Sequence, residues 1–455
     1  MSRMTAWGIV GSGPPRRRRS SGGGGGPVYP AAVLLAGAQR GWNARAITPA
    51  AAPANLAEPW DNAAVNGTQG GLPTGWKYAA SADVSGVTAL IGAIVNTAND
   101  AVFDGWDTNG RPIVLRNFAA PAVQNCRIRN RSAYNYPGIG VGSLGHAITG
   151  PINLLSNDID GEGEIGGVAR FTGSLTAGTL TVTAVEFGVL RVGMRVDTGL
   201  TTDVYISALG TGTGGTGTYT LNDATQTLAS QAFNTRPYMQ AAIAEHASTY
   251  HSGLLIKGNW LRGVADDTIQ INSSASVIED NRIGIGGWNA RSAHWDATQI
   301  QNPLGTDGPI IVRGNYIDAT PGVPGVSPTP ASVGKSYGRT STLLSVRCEY
   351  GVHYVENIFG GEGALMNDET GFPMIYAAYL NWATNDRRIN NNVFEWGTAL
   401  AFPTNIFTIA EWTNNFRLST GLAVSQPVTN ASEWQREDAG FWLREDNHMW
   451  IREVA

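Results

Sequence analysis

The sequence predicts an all-β solenoid of stacked coils, because one short phrase recurs along it and no helical pattern separates the copies. The phrase joins aliphatic or β-branched residues to an asparagine and a further apolar residue. Its clearest copies are LLIKGNWL (254–261), SVIEDNRI (276–283) and IIVRGNYI (310–317). Repeats of roughly 20 to 35 residues built from short strands are typical of solenoids. The composition agrees, since 58 Gly, 22 Pro and only 15% charged residues describe a turn-rich β protein.

The asparagine of the phrase predicts how the coils stack. At each corner its side-chain amide can bond backbone groups of the turn and stack on the asparagine of the next coil. Further copies of the phrase are NLLSNDID (153–160), HYVENIFG (353–360), RINNNVFE (388–395) and, less clearly, QNCRI (124–128).

These repeated phrases resemble the right-handed parallel β-helix family, the pectate-lyase-like fold that phage tailspikes and capsule depolymerases also use. The resemblance spans roughly residues 100–420 and implies a right-handed parallel β-helix solenoid. It implies no single activity, because the fold hosts lyases, hydrolases and structural proteins. By resemblance to tailspikes, a homotrimer is expected.

The N-terminal segment 1–30 is low in complexity, basic and rich in glycine. One interpretation is a disordered basic tail. The other is an anchor whose arginines attach the chain to an acidic site on a larger particle. The candidate attachment residues are Arg16, Arg17, Arg18 and Arg19.

Residues 31–100 form a predicted N-terminal attachment region with a helical cap. The apolar spacing within 84–99 has a helical period and predicts a short amphipathic helix that shields the open edge of the first coil. The first β-helix coils are predicted over 101–167.

Strict alternation and Thr–Gly turns over 168–233 predict an inserted small antiparallel β domain. The main β-helix coils follow over 234–420. The segment 421–455 carries three Trp phrases, WQRED, WLRED and WIREV, the last two of which could pair as a hairpin. A cap or an oligomer contact is the favoured interpretation of this segment, and an aromatic platform for sugars is the other.

Composition and charge argue against two kinds of partner, nucleic acid and the membrane interior. A net charge of −5 argues against nucleic acid. No stretch approaches the ~20 apolar residues of a membrane span, and Arg16–Arg19 lie where the apolar run of a signal peptide would be. A virion protein that reaches the outside after host lysis fits this pattern. Neither a disulfide framework nor a metal or cofactor site is expected from the two cysteines and scattered acids.

Two consecutive coils carry polar residues at matching positions, since DDTIQI (266–271) aligns with DATQI (296–300). Alternation then turns Gln270 and Gln299 outward, and it turns Thr268 outward as well. Ala297 is expected on the same outer side.

The phrase HWDATQIQ looks like the H-x-D-x-x-Q signature of β-helix proteins that act on or bind acidic polysaccharide. The resemblance makes His294 the base or a metal-side residue, Asp296 the residue that orients it or binds a cation, and Gln299 a contact for sugar hydroxyls. A hydrolase would need two carboxylates, for which Asp266, Asp267 and Asp296 are candidates. The predicted catalytic residues are therefore Asp267, His294 and Asp296, and the predicted substrate-binding residues are Gln270, Trp295, Gln299 and Arg347.

A structural interpretation of the same residues is also open, because Asp and Gln ladders at coil corners satisfy backbone groups without any ligand. Glu245, His246 and His251 form an acid–histidine grouping after the inserted segment, with no motif that assigns it a role.

The predicted function is a spike or tail-fibre protein of a phage or phage-like particle that binds bacterial surface polysaccharide for host attachment. The alternative is an enzyme, a capsule or exopolysaccharide lyase or hydrolase on the same β-helix. A secreted lyase-like enzyme is a third interpretation, which the missing signal peptide disfavours.

Overall fold

The structure is a computed structural model of the 455-residue chain. It describes residues 39–47, 72–131, 136–142, 146–162, 169–197, 200, 204–236, 239–246, 251, 253–284, 286, 295–304, 307–318, 340–346, 351–360, 375–378, 387–394, 411–418, 421–423, 434–437, 441–444 and 449–451.

Three long sheets, here named A, B and C, dominate the structure. Sheet A is parallel except for its first strand, which pairs antiparallel with the second. In order across the sheet, its strands are Trp76–Tyr78, Ile94–Asn96, Ile113–Leu115, Ile139–Val141, Ile243–Glu245, Ile269–Ser273, Trp295–Leu304, Thr340–Val346 and Ile375–Ala378.

Sheets B and C are parallel in every described strand pair. The strands of sheet B are Val102–Asp104, Ala122–Gln124, Ile152–Leu155, Leu254–Lys257, Val277–Glu279, Ile310–Arg313, Val352–Val355, Arg387–Asn390 and Glu411–Thr413. The strands of sheet C are Arg127–Ile128, Asp158–Asp160, Trp260–Arg262, Arg282–Ile283, Tyr316–Asp318, Ile358–Gly360, Val393–Phe394 and Phe416–Arg417.

The chain visits the sheets in the order A, B, C and then returns to A. One such three-strand repeat is Ile269–Ser273, Val277–Glu279 and Arg282–Ile283. The inward aliphatic residues of these strands, such as Ile269, Ile278 and Ile283, are fully buried in a single apolar cluster. The three sheets therefore enclose one core, and alternation along each short strand supplies it with one or two aliphatic side chains per strand.

An asparagine ladder follows the turn from sheet B to sheet C. Each ladder side chain is buried, and in all but the last, Asn415, the Nδ2 donates a hydrogen bond to the Oδ1 of the next at 2.9–3.1 Å. The same Oδ1 accepts the backbone N–H of the preceding asparagine at 2.8–3.1 Å. The ladder residues are Asn157, Asn259, Asn281, Asn315, Asn357, Asn392 and Asn415. The stacking expected from the repeated phrase is confirmed.

The residue before each ladder asparagine has a left-handed backbone. Examples are Gly258 at φ 69°, Asp280 at φ 55° and Gly314 at φ 66°. A single residue of positive φ turns the chain sharply, which Gly, Asn and Asp tolerate best. The two-residue turn thus explains the G-N, D-N and N-N pairs of the sequence phrase.

Cys126 occupies the ladder position one repeat before Asn157. Its backbone N–H donates to Asn157 Oδ1 at 3.0 Å, as a ladder asparagine would. Its Sγ–H donates to the carbonyl of Phe103 at 3.3 Å, the bond that Nδ2 makes to Val123 in the next repeat. Burial raises the pKa of this thiol to about 12, so Cys126 acts as a neutral donor that starts the ladder.

The antiparallel β structure expected over 168–233 is present as a closed barrel. Its strands are Arg170–Thr176, Thr179–Phe187, Arg195–Asp197, Val204–Leu209, Gly217–Leu221 and Thr227–Arg236. It has its own apolar cluster, in which the rings of Phe171 and Phe233 stack with centroids 5.6 Å apart. The barrel lies in the connection between a sheet C strand and the next sheet A strand.

The helix expected over 84–99 is wrong. The segment forms 3₁₀ turns at Ser81–Val84 and Thr88–Leu90, followed by the sheet A strand Ile94–Asn96. Gly86 and Gly92 take φ values of 78° and 83°, which interrupt any helix. The apolar residues pack instead on the outer side of sheet A, where Val84 and Leu90 bury Val95 and Val114.

Among the described residues of this region, Gln39–Arg45 forms an α-helix, which lies on the outer side of sheet C. There the outward row of the sheet turns apolar at Tyr316, Ile358 and Val393, and Ala44 joins these residues in one buried cluster. Apolar residues on an outer face need a cover, and the helix provides it.

Ion pairs connect the start of this helix to acidic residues at the end of a sheet B strand. Arg40 bonds Asp280 through Nη2 at 2.8 Å and through Nε at 3.1 Å, and it reaches Glu279 at 3.3 Å. Gly41 lies so close to sheet C that a Cβ there would come 2.8 Å from Ile358 Cγ1. The helix therefore contacts several repeats. We call the helix Gln39–Arg45 the clasp.

Three short strands form an antiparallel sheet near the C-terminus, at Trp434–Glu437, Phe441–Arg444 and Met449–Ile451. The predicted hairpin is confirmed, with Trp442 opposite Trp450. In the parts of the chain that the structure describes, no helix has the length and apolar character needed to cross a membrane.

Replacing a central ladder residue should destabilise the fold strongly. Asn281→Ala removes the partner of the Asn259 and Ile256 backbone groups, which are left buried and unbonded, so the free energy of unfolding should fall by roughly 3 kcal/mol. Chemical denaturation followed by tryptophan fluorescence measures this. Asn414→Gly is the matched control, since Asn414 is exposed and its left-handed φ of 54° suits glycine. Equal losses in the two variants would contradict a structural ladder.

A charge introduced on the buried face of the clasp should detach the helix from sheet C. Ala44 is only 1% exposed, so Ala44→Glu buries a carboxylate without a partner, and cleavage by trypsin after Arg40 and Arg45 should become at least about tenfold faster. The control is Ala46→Glu, which places the same charge on an exposed position directly after the helix. Unchanged cleavage of the Ala44 variant would show that the apolar contact does not hold the helix.

Candidate functional site

The outer face of sheet A carries polar side chains in register. Ile269 pairs with Thr298, and both are fully buried, so the neighbouring pair Gln270 and Gln299 faces outward and is half-exposed. In the preceding strand the same row holds Ala244. The alignment of the two coils made from the sequence is confirmed at these positions.

The row changes character along the sheet. Val95 and Val114 occupy it in the early strands and are buried under the 3₁₀ segment. Beyond them the row holds Gly140 and Ala244, which have little or no side chain, and then the two glutamines. Gly140 is still buried, so the row becomes accessible at Ala244 and polar at Gln270.

Asp267 lies just before its sheet A strand and is only 4% exposed. Its Oδ2 accepts a hydrogen bond from Gln270 Nε2 at 3.0 Å. The amide of Gln270 has two N–H donors and a carbonyl acceptor. The bond to Asp267 uses one N–H, which leaves the carbonyl and the second N–H for other partners. Asp267 therefore holds the amide of Gln270 in place.

Several predicted site residues lie outside the described part of the chain. They are His294, Arg347 and the attachment arginines Arg16, Arg17, Arg18 and Arg19, together with the side chains of Trp295 and Asp296. The backbone of Trp295 and Asp296 opens the strand that pairs with the strand of Gln270. Their catalytic and binding roles stay predictions.

Two expected orientations are wrong, since Thr268 and Ala297 are buried rather than outward. Thr268 precedes its strand, which begins at Ile269, and the two-residue alternation of a strand does not extend into a corner, where the chain turns toward the core. Ala297 lies inside the strand Trp295–Leu304, where it and Thr298 are consecutive buried residues, so the alternation is interrupted there.

The structure brings Glu245 and His251 together at the corner between sheets A and B. Glu245 pairs in register with Val141, a buried aliphatic residue of the preceding strand, and so occupies an inward position. It is 6% exposed. Its Oε2 accepts the backbone N–H groups of Asn272 at 2.6 Å and Ser273 at 2.9 Å. A carboxyl group thus caps the turn of the next repeat from a position that suits an aliphatic side chain.

His251 is fully buried at the same corner. Its Nδ1 accepts the N–H of Ile148 at 3.3 Å, and its own backbone N–H donates to Ser273 Oγ at 2.8 Å. The imidazole packs against Gly142, whose φ is 63° and where any Cβ would overlap the ring. Ser273 therefore connects the acid to the histidine.

Burial shifts the two groups in opposite directions. It raises the pKa of Glu245 to about 7 although the N–H groups of Asn272 and Ser273 oppose the shift. It lowers the pKa of His251 to about 4. Among the residues that the structure describes, Glu245 Oε1 and His251 Nε2 are buried without a hydrogen-bond partner. Burial outweighs the hydrogen bonds that each group does make, so both groups favour their neutral forms.

An earlier repeat shows that an ion is not needed for this cap. Asn96 ends its sheet A strand at the corresponding position and is fully buried, and its Oδ1 accepts the N–H of Arg116 at 2.9 Å. The sequence had singled out Glu245 and His251 only as an acid–histidine grouping. Alignment of Ile243–Glu245 with Ile269–Ile271 would have marked Glu245 as an acid in an aliphatic position.

The region has two chemical capacities. The amides of Gln270 and Gln299 can donate and accept hydrogen bonds from hydroxyl groups, and the corner holds a carboxyl group that titrates near neutrality. Among the described residues, no group of three or more His, Cys, Asp or Glu could hold a metal ion. No protein-family model matches the chain, and no curated protein does either.

The acid and the histidine should have opposite effects on stability as pH changes. The raised pKa of Glu245 favours folding below pH 4.5, an advantage lost as pH rises to about 7. The lowered pKa of His251 favours folding above pH 6.5, an advantage lost as pH falls to about 4. Between about pH 4.5 and 6.5 folding moves one proton from imidazole to carboxyl, and the two slopes cancel.

Glu245→Gln should break this compensation. The stability difference between the native chain and the variant should fall by roughly 3 kcal/mol from pH 4.5 to 7, as measured by denaturation at each pH. His251→Gln should give a difference of the opposite slope between pH 4 and 6.5. Glu186→Gln, on an exposed barrel residue, is the control for loss of a carboxyl group. Parallel pH profiles for all four proteins would contradict the assignment.

Proposed function

We propose that the chain is a right-handed parallel β-helix that serves as a spike or tail-fibre protein of a phage or phage-like particle. It binds bacterial surface polysaccharide along the outer face of sheet A and so attaches the particle to its host. The order A, B, C of the strands, the shared core and the asparagine ladder support the β-helix. The two-residue turns and the resemblance of the repeated phrases support it as well.

One observation carries the proposed binding function. Gln270 and Gln299 lie in register on adjacent strands, half-exposed, with Asp267 holding the first amide. Neighbouring strands are about 4.8 Å apart, so the two amides lie at a spacing that suits successive hydroxyl groups of an extended sugar chain. The row continues in register with Leu344 and Tyr376. An extended polymer is the ligand for which a long, regular face offers repeated contacts.

The rest of the proposal concerns the particle. The basic residues Arg16–Arg19 contact other virion proteins, and the chain assembles as a homotrimer. The clasp on sheet C supports this arrangement, because it ties the N-terminal side of the chain to the sheets through Arg40. Host lysis releases the protein to the outside.

The second candidate function is depolymerisation of the same polysaccharide, by a lyase or a glycoside hydrolase. It is favoured by Glu245, whose pKa of about 7 is that of a general acid or base at neutral pH. The burial of this carboxyl group weighs against direct contact with a polymer, so binding stands first.

The test uses the full-length chain and capsule or exopolysaccharide from candidate hosts. Binding is measured by biolayer interferometry, and product size and ultraviolet absorbance of unsaturated uronates are followed in parallel. Binding without shortening supports the spike. Shortening with that absorbance indicates a lyase, and shortening without it a hydrolase. A chain that neither binds nor shortens any of these polysaccharides would overturn the proposal.

Binding should weaken when the amide row is removed. Gln270→Ala with Gln299→Ala should lower affinity by at least about tenfold, because two neutral hydrogen-bonding groups are lost. Gln226→Ala is a matched control on the barrel, since Gln226 Nε2 bonds Asp223 Oδ2 at 3.1 Å in the same Asp-x-x-Gln pattern. A loss no greater than that of the control would place the binding site elsewhere.

A further inference from the structure

We infer that the polysaccharide bound by sheet A carries no acidic groups, and that Asp267 is a positioning residue for the Gln270 amide that binds it. This inference rests on the proposed binding function and specifies its ligand. It differs from the expectation of an acidic polysaccharide that the H-x-D-x-x-Q resemblance implies.

The first step is the charge of the described face. Its accessible row is neutral at Ala244, Gln270 and Gln299, while Asp267 and Glu245 lie at the two ends of the strands. A carboxylate, sulfate or phosphate on the ligand would meet neutral amides here, with the Asp267 carboxylate close behind them, and no lysine or arginine among the described residues of this stretch. Glu245 adds no charge below neutrality, because burial favours its protonated form. Like charges brought together in a binding site cost affinity.

The second step is the location of the described cations. In the early part of sheet A, Lys77 and Arg116 both bond Asp83, at 2.7 and 2.6 Å. The buried Arg111 donates to the carbonyl of Gly92 at 2.6 Å and lies over the Tyr78 ring. The bond from Lys77 leads the interactions that hold the pKa of Asp83 at about 2. Several cations of sheets B and C are likewise paired with acids, as in Arg127–Asp107, Arg129–Asp158, Lys257–Glu279, Arg262–Asp160 and Arg313–Glu279. Arg282 instead donates to the carbonyl of Ile47 at 2.9 Å and lies over the Trp260 ring.

The third step is the role of Asp267. A buried carboxylate that accepts the Gln270 amide bond at 3.0 Å is held by that bond and is poorly placed to attack or protonate a sugar. The bond does orient the amide, so that the free carbonyl and N–H of Gln270 are presented together. A group that both donates and accepts is complementary to hydroxyl groups.

The test separates capsule and exopolysaccharide from candidate hosts into neutral and acidic pools by anion exchange. The full-length chain should bind the neutral pool, with an affinity that changes less than about twofold between low and high salt. Binding to the acidic pool alone would overturn the inference and leave the binding function standing. Binding to neither pool would overturn the proposed function itself.

Asp267 is tested on the bound pool. Asp267→Ala should weaken binding about tenfold, and the double variant with Gln270→Ala should be no weaker than Gln270→Ala alone. Asp267→Asn keeps an acceptor oxygen for the Gln270 N–H and should restore binding, while near-native denaturation confirms folding in each case. Additive losses, or failure of the Asn variant to rescue, would refute the positioning role.

Discussion

The structure depends on satisfying buried backbone groups at the turn from sheet B to sheet C. Each turn places an N–H and a carbonyl inside the protein, where an unbonded group costs roughly 1–3 kcal/mol. A primary amide is short, and it carries a donor and an acceptor. It can therefore bond the backbone and a copy of itself in the next repeat at once. Asn281 shows the full set, with Asn259 on one side and Asn315 on the other. Cys126 begins the series with a weaker donor.

Because the turns are satisfied internally, the outer faces of the sheets are free to differ. The outward row of sheet C becomes apolar toward Tyr316 and Ile358 and is covered by the helix Gln39–Arg45. The outward row of sheet A is covered at its start by the 3₁₀ segment and then carries Gln270 and Gln299. The same scaffold thus supports a buried contact on one side and an accessible polar row on another.

The corner at Glu245 meets the same demand with an ionisable group. Asn96 caps the equivalent turn with a neutral amide, whereas Glu245 does so with a carboxyl group that burial keeps largely protonated below neutrality. His251, close by, is kept neutral by the same burial. On folding, the acid takes up a proton and the base releases one, so both groups become neutral. Neutralising both groups costs less free energy than burying either one as an ion in the core.

The sequence by itself determined the features that depend on local periodicity. Alternation and the repeated asparagine predicted the all-β class, the ladder and the register of Gln270 with Gln299, because strand period and turn chemistry are local. Tertiary structure decided the rest. The apolar spacing of 84–99 suited a helix, but two glycines of positive φ and the uncovered start of sheet A selected another conformation. The clasp joins Arg40 to Asp280 across 240 residues, and no local pattern specifies a partner at that distance.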